Sequence, residues 1–554
     1  MRNRVFAGRA FAALLVLALC GDAVAALPRL DALGRIGEMI TNAVMRKDAA
    51  LLASYFERRD ATWEWRTEFW GKHMQAAAPV LSLTGDTGAF RANLQAGIDR
   101  LLATQLEDGY IGNYVSRCGE GWDVWGIKYT LLGLLEWHRA TGDARALNAA
   151  KRLADFLIAE TGTGGRRRLV TTGNYLGLAS GSVLEPVVWL ARETGERRYA
   201  EMAREIVRQI GWDVDGPQLV AKALDGVPVA QRTAWRASKM NGTKAYEMMS
   251  CYQGLADWWE FDGRRDSDVQ KAIVRTAEDI LANEINVIGS AAAMEHFFHG
   301  RLNQQRRFRW MNETCVTVTW MRLAEKLLEM THESRWADAL ETSFLNAWLG
   351  SIVPDASRFD SYPPVNGSRG PFNRQCGTDT NCCNENGPRG FLAYLQGALV
   401  GSGDDIYLNF FLSGERGPAS RRFRIESDWP NDGRVKVTYL GETAVFTLHR
   451  RIPLWVHPAG GYVSERREWK RGDERTFVLE MKPRAEFLND AAAVLRGPVV
   501  YTSTDASDEP RERYEAFDPE KEIAKLVPFA AAGGRPCRTW LPLVRDVWEY
   551  PSPY

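Results

Sequence analysis

No sign of charge dominates this 554-residue chain: 70 Lys and Arg balance 70 Asp and Glu. That balance leaves no basic footprint of the kind that neutralises phosphates, so no nucleic-acid partner is expected. No segment after the N-terminus reaches the ~18 uninterrupted apolar residues of a membrane-crossing helix, and no membrane span is expected. No fixed-period repeat of the solenoid type is present. Cysteine is scarce for an exported chain. Of eight cysteines, Cys20 falls in a leader, and the seven that remain (Cys118, Cys251, Cys315, Cys376, Cys382, Cys383, Cys537) are too few, and odd in number, for a dense disulfide framework. Hydrophobic residues make up 45% and charged residues 25%, as in ordinary soluble globular proteins. The 20 Trp suit both core packing and sugar-ring stacking. The length allows about two to four domains.

The leader is read from its first residues. Arg2 and Arg4 give a positive start, Phe11 to Cys20 a short apolar run, and Ala23-Val24-Ala25 a small-x-small cleavage site. Removal of residues 1–25 and export to the periplasm or beyond are expected.

From about Leu30 to Val400 apolar residues recur at three- and four-residue spacing. Helices are predicted over Phe90–Thr104, Gly126–Thr141, Leu147–Glu160, Val183–Glu193, Tyr199–Ile210, Ala245–Glu260, Val269–Ala282, Val316–Met330, Trp336–Leu349 and Gly390–Val400. Gly142-Asp143 and Gly195-Glu196 separate neighbours, as glycine does just past a helix end. Many helices joined by short turns predict paired helices in a ring or solenoid. Near Asp404 the pattern changes. Ile406–Phe411, Arg434–Leu440, Ala444–Arg450, Arg475–Met481 and Val499–Ser503 read as strands of a β-sandwich. The organisation expected is therefore residues 26–403 helical and 404–554 a β-sandwich with a C-terminal extension, the stretch after about Asp505 being left unassigned.

Two short segments carry candidate chemistry. Glu313-Thr314-Cys315 and Cys382-Cys383, with Cys376 six residues earlier, offer thiolates and a carboxylate, the donors zinc prefers. Each precedes a predicted helix, one starting near Val316 and one near Pro388, whose electropositive N-termini favour thiolates. Spacing alone leaves a second reading open: a disulfide from Cys376 to Cys382 or Cys383, with Glu313 as a helix cap. Glu295, in Ala291-Ala292-Ala293-Met294-Glu295-His296-Phe297-Phe298, is a lone carboxylate in an apolar and aromatic surround. Such a setting raises a carboxyl pKa and suits a general acid; the alternative is a surface glutamate on a loop.

These motifs resemble glycoside hydrolase family 127, the β-L-arabinofuranosidase family. Asp108-Gly109-Tyr110 resembles its early DGY motif, Gly289 to Phe297 its acid/base segment, Glu313-Thr314-Cys315 its ETC motif and Cys382-Cys383-Asn384-Glu385-Asn386-Gly387-Pro388-Arg389 its CCxxNxxR motif. Arg451-Ile452-Pro453-Leu454-Trp455 and Arg496-Gly497-Pro498-Val499-Val500-Tyr501 resemble its RIPxW and RGPxVY stretches. The resemblance runs from about residue 40 to 503. It implies a mainly α fold, an (α/α)6 barrel followed by a β-sandwich. It also implies Zn2+ held by Glu313, Cys315, Cys382 and Cys383, with Cys382 as nucleophile and Glu295 as acid/base of a retaining, exo-acting hydrolase of oligo- or polysaccharides. Tyr114, Lys128 and Lys244 are expected toward the sugar. Lysines where the family often has histidines favour an anionic sugar, so β-L-arabinofuranose and an acidic sugar of plant or algal glycans both stand. Two rivals remain. One is another helical-toroid enzyme, a polysaccharide lyase or an unsaturated uronide hydrolase. The other is a non-catalytic carbohydrate-binding protein stapled by zinc.

Overall fold

The structure, a computed structural model, describes residues 32–84, 88–119, 121–233, 243–306, 310–368, 380–505 and 513–544. The leader and Cys376 lie outside these described residues.

Helices alternate between two layers. The outer layer is α1 (Ala32–Met39, continued as a π-turn to Met45), α3 (Gly88–Leu102), α5 (Ala144–Thr161), α7 (Arg197–Trp212), α9 (Ser267–Asp279) and α11 (Ser334–Ser343). The inner layer is α2 (Thr67–Thr84), α4 (Asp123–Thr141), α6 (Leu184–Thr194), α8 (Ala245–Phe261), α10 (Thr314–Thr331) and α12 (Cys382–Gly397). Burial separates the layers. In α7 the buried residues, among them Tyr199, Met202, Ala203, Ile206 and Ile210, form one stripe, whereas α8 is buried continuously from Ala245 to Trp259. A helix buried all round belongs inside a ring of helices. The ring closes by packing of α2 on α4, α4 on α6, α6 on α8, α8 on α10, α10 on α12 and α12 on α2, giving the (α/α)6 barrel.

Short turns make the pairing possible. Gly142 ends α4 at φ 74°, and Asp143 caps α5 by accepting from the Arg145 amide. The contact of α2 with α4 rests on Gly71: a Cβ there would lie 1.9 Å from the Tyr129 carbonyl oxygen. Two starts differ from expectation. Helix α12 begins at Cys382, not near Pro388, because Asn381 caps it through the Asn384 amide; Pro388 lies inside the helix. Helix α10 begins at Thr314 with Glu313 in the N-cap position.

Strands follow α12 at once. β1 (Leu399–Ser402), β2 (Asp405–Leu408), β6 (Ala444–Arg451) and β7 (Tyr462–Trp469) form one sheet, in the order β1-β2-β6-β7. β3 (Gly414–Arg416), β4 (Phe423–Ser427), β5 (Arg434–Tyr439) and β8 (Glu474–Val478) form the second. Phe423 and Tyr439 from one sheet meet Phe446 and Trp469 from the other at 5.4–6.3 Å, which makes the sandwich core. A third sheet, β9 (Pro483–Leu488), β10 (Ala491–Arg496), β11 (Val499–Thr502) and β12 (Val527–Pro528), with β13 (Leu541–Pro542) on the far side of β10, was not expected. It packs Ala493, Leu495 and Val500 against Ile288 and Ala347 of the barrel. Residues beyond Asp505 thus supply two of its strands. The arginine of the Arg-Ile-Pro-Leu-Trp stretch joins the two parts: Arg451 is fully buried and donates to Asp338, at 3.1 Å, and to Glu341 of α11. Among the described residues no helix is long and apolar enough to cross a membrane.

Candidate active site

The first turns of α10 and α12 face each other at one mouth of the ring. As N-cap, Glu313 has extended backbone angles (φ −51°, ψ 129°), so its side chain and that of Cys315 reach the same point although only two residues separate them. Asn386, one turn into α12, donates to the Cys315 carbonyl at 3.4 Å and fixes the two helix starts to each other. One ligand atom each from Glu313, Cys315, Cys382 and Cys383 lies within 4.8 Å of the others. The Cys382 and Cys383 sulfurs are 3.9 Å apart, and Cys383 Sγ is 3.8 Å from Glu313 Oε1. All three cysteines are free thiols, so neither vicinal sulfur is spent in a disulfide.

The cluster fits a metal ion on its own chemistry. Glu313 is buried and its Oε2 has no hydrogen-bond partner; burial, with Glu295 nearby, pushes its pKa well above the ordinary value. Burial likewise pushes the Cys315 and Cys383 thiols well up, and Cys382 is raised first by its contact with Cys315. Four such groups packed together are costly unless a cation draws off their protons. Three sulfurs and a carboxylate are a donor set for a thiophilic divalent ion. Cys382 is the most open of the four, 9% exposed against 0% for Cys315 and Cys383.

Glu295 stands beside this cluster on a strained turn: Met294 and Glu295 have φ of 47° and 68°, a left-handed conformation kept only where the surroundings enforce it. Bonds from Ala245 N to the Glu295 carbonyl (3.0 Å) and Phe297 N to the Thr243 carbonyl (2.9 Å) tie that turn to the start of α8. The expected environment is corrected here. Glu295 is not a lone carboxylate in apolar surroundings. The Lys244 ammonium is ion-paired with its Oε2, and the Tyr362 hydroxyl donates to Oε1 at 2.8 Å. Burial raises its pKa, but Lys244 and the two hydrogen bonds outweigh that and hold it below the usual value. Tyr362 lies within the electrostatic reach of Glu313, Glu295, Cys383 and Cys382.

The other expected sugar contacts divide. Lys244 lies in the site but is spoken for, 3.8 Å from Glu247 as well as paired with Glu295. Lys128 is fully buried below the mouth, over the rings of Trp125 (4.6 Å) and Tyr129 (4.8 Å) and in the field of Glu185; a side chain sealed from solvent does not line a sugar pocket. Tyr114 is 2% exposed, and its hydroxyl donates to the Glu64 carbonyl (2.7 Å) and accepts from Trp122 N (2.9 Å), which makes it a clamp on the loop before α4. Of the two lysines inferred to favour an acidic sugar, only Lys244 reaches the site, where two carboxylates already hold it.

Sequence reasoning missed Lys72, Glu247 and Tyr362. Lys72, buried 2.9 Å from Glu68, lies over Tyr246 (4.8 Å) and Tyr129 (5.0 Å). Burial opposes its charge, yet Glu68, Tyr246 and Cys315 hold its pKa well above the ordinary value, so the thiol cluster has a permanent cation beside it. The signal was a lysine inside the apolar run Phe69–Ala78, visible only as an exception. Glu247, pushed up to about 7 by burial with Lys244 offsetting part of it, has an unpartnered Oε2. Tyr362 comes from an irregular Ser-Tyr-Pro-Pro loop that carries no periodic signal.

Comparison with known proteins bears on the family and the fold. The family model described as β-L-arabinofuranosidase, GH127 catalytic domain, matches residues 32–396. A non-reducing end β-L-arabinofuranosidase of Bifidobacterium longum subsp. longum is 22% identical over 332 residues, which cover 52% of this chain and 46% of that protein; the match thus spans about half the length of that relative. A solved GH127 β-L-arabinofuranosidase from Geobacillus stearothermophilus T6 superposes with a TM-score of 0.70 at 16% identity, over 94% of this chain and 100% of the other. A further solved GH127 β-arabinofuranosidase gives 0.68 at 18% identity, over 94% and 96%. At these identities the superpositions show a shared fold, and the family follows from the match over most of the barrel: the chain belongs to glycoside hydrolase family 127.

Proposed function

We propose that this protein is an exported, retaining, exo-acting hydrolase that releases β-L-arabinofuranose, or a closely related neutral sugar, from plant or algal glycans, with Cys382 as nucleophile and Glu295 as acid/base. One observation carries the reading: three cysteines outside any disulfide and a buried carboxylate gathered within 4.8 Å, with Cys382 the least buried of the four and a second carboxylate, Glu295, in the field of Glu313. Glu313, Cys315, Cys382 and Cys383 would hold Zn2+, which when bound keeps the sulfurs deprotonated. The N-termini of α10 and α12 and the buried Lys72 favour the same thiolate state.

Glu295 rests as a carboxylate between Lys244 and Tyr362. A sugar that excludes water and takes over the Lys244 contact leaves burial as the dominant influence, which raises the Glu295 pKa and prepares it to hold a proton. Cys382 Sγ then bonds to the anomeric carbon as the glycosidic bond breaks, and Glu295 gives its proton to the departing oxygen. In the second half Glu295 takes a proton from water, the water oxygen bonds to the same carbon from the opposite face, and the sulfur leaves with its electron pair. Two inversions return the original anomer. Tyr362, bonded to the acid and in the field of the sulfurs, would hold a ring hydroxyl.

The test is hydrolysis of 4-nitrophenyl β-L-arabinofuranoside followed by NMR. The expected first product is the β anomer, with activity lost in Cys382→Ala and in Glu295→Gln reduced more on alkyl than on aryl leaving groups. A Cys382→Ala protein that keeps its metal and the wild-type rate would show that the cluster only staples two loops.

A further inference from the structure

A cavity opens beside the catalytic residues, with Tyr175 in its wall. It has a volume of about 300 Å³ and is lined by Trp63, Thr171, Asn174, Tyr175, Leu176 and Asp215 among others, which puts it at the small end of the ~300–1,000 Å³ typical of ligand sites. We propose that this cavity binds the sugar residue on the leaving-group side of the scissile bond, and that Trp63 is its stacking platform. The inference deepens the reading above and rests on it.

Three observations bear on it. The first is position. Tyr175 is the wall shared with the catalytic centre: its ring lies 5.0 Å from the Lys244 ammonium and edge-on to Trp122 (5.8 Å) and His296 (6.2 Å). Lys244 pairs with Glu295, the group that protonates the leaving oxygen, so the cavity lies beyond the acid rather than beyond the sulfurs. The second is lining. Trp63 is 52% exposed and Leu176 47%, an unusual exposure for large apolar side chains on one rim. An aromatic face matched to the C–H face of a sugar, with polar groups at the edge, is how such rings are held. The edge here is Thr171, Asp215 and Asn174, whose amide nitrogen is buried without a hydrogen-bond partner. Asp215 shares Arg168 with Asp213, so the charge the rim shows is carboxylate, which suits a neutral sugar rather than an acidic one. The third is the backbone. Tyr175 and Leu176 hold φ of 59° and 55° between Gly173 at 68° and Gly177 at 76°. Consecutive left-handed bulky residues persist only where the surrounding structure enforces them, and such strain gathers at ligand sites.

The experiment compares kcat/KM for a β-L-arabinofuranosyl disaccharide with that for 4-nitrophenyl β-L-arabinofuranoside, whose aryl group is not a sugar. In Trp63→Ala the ratio of the two falls about tenfold, and in Trp63→Phe, which keeps a smaller face, about threefold. Calorimetric titration of the disaccharide into Cys382→Ala, with and without Trp63→Ala, gives a Kd weakened by a similar factor. A ratio and a Kd unchanged by both Trp63 variants, in proteins that melt like the parent, overturn the subsite and leave the proposed activity intact. A wild-type protein that cleaves neither glycoside overturns the activity, and the subsite with it.

Discussion

Replacing Lys244 by Met removes the one ammonium set between Glu295 and Glu247 and keeps the length of the side chain. Lys244 and Glu247 side chains are 7% and 3% exposed and Glu295 26%, so the change strands two carboxylates in a largely dry site. Breaking a buried pair by removing one partner costs about 3–5 kcal/mol; with Glu295 a quarter open to solvent, about 3 kcal/mol is expected. At about 2 °C or less per kcal/mol in a chain of this size, the melting temperature falls by roughly 5 °C. The pH dependence follows from the sign. With Lys244 present, the Glu295 pKa lies below the ordinary 4.5, so its contribution stabilises the fold above that pH and fades as pH drops through the folded pKa. Without Lys244, burial, the strongest influence on Glu295, is opposed only by Tyr362 and His296, and the pKa rises; the stability deficit of the variant therefore widens as pH climbs from the unfolded carboxylate pKa through the raised folded one. The same shift reads out in catalysis. The alkaline limb of kcat/KM reports the acid form of the free enzyme, and loss of the neighbouring cation moves it to higher pH. An alkyl β-L-arabinofuranoside is the substrate to use, because its leaving oxygen needs the proton. An alkaline limb that stays put or moves down in a folded Lys244→Met protein refutes the assignment of Lys244 as the group that sets the Glu295 charge.

Exhaustive treatment with a thiophilic chelator is expected to abolish activity and lower the melting temperature, since four proton-hungry groups are left packed together; added Zn2+ restores both, with proton release measurable on rebinding. Substituting Gly71 by Ala drives a methyl into the Tyr129 carbonyl, 1.9 Å away, and separates α2 from α4 at the level of Lys72; overpacking of this kind costs about 1–3 kcal/mol or more, seen as a lower denaturation midpoint. Arg451→Met leaves Asp338 and Glu341 buried without their cation and costs about 3–5 kcal/mol. Because Asp338 is already pushed up to about 7 by burial even with Arg451 beside it, the loss is larger at pH 8 than at pH 5 in parallel melts.

The barrel was legible because its physics is local. A helix that buries a stripe leaves a three-and-four spacing in the sequence, and the helix pairs were separated by Gly142-Asp143 and Gly195-Glu196 where the chain does turn. The third sheet was not legible: Ala491 to Leu495 is a buried run without alternation, and β12 and β13 are two residues each, so no period exists to read. The same division runs through the site. Glu313, Cys315, Cys382 and Cys383 could be grouped because their two stretches resemble a family's motifs, whereas residue type and spacing alone left a disulfide open. The environment of Glu295 could not, because its partners come from 51 and 67 residues away and their effect reverses the sign that its own apolar neighbours suggest. Lys128 fails in the opposite direction: its sequence context placed it near the sugar, but the turn of α4 points it into the floor of the ring, toward Glu185. A residue's type thus announces which chemistry it is capable of, while its charge state belongs to whatever the ring brings beside it; here the lysine that holds Glu295 charged meets it only in the closed barrel.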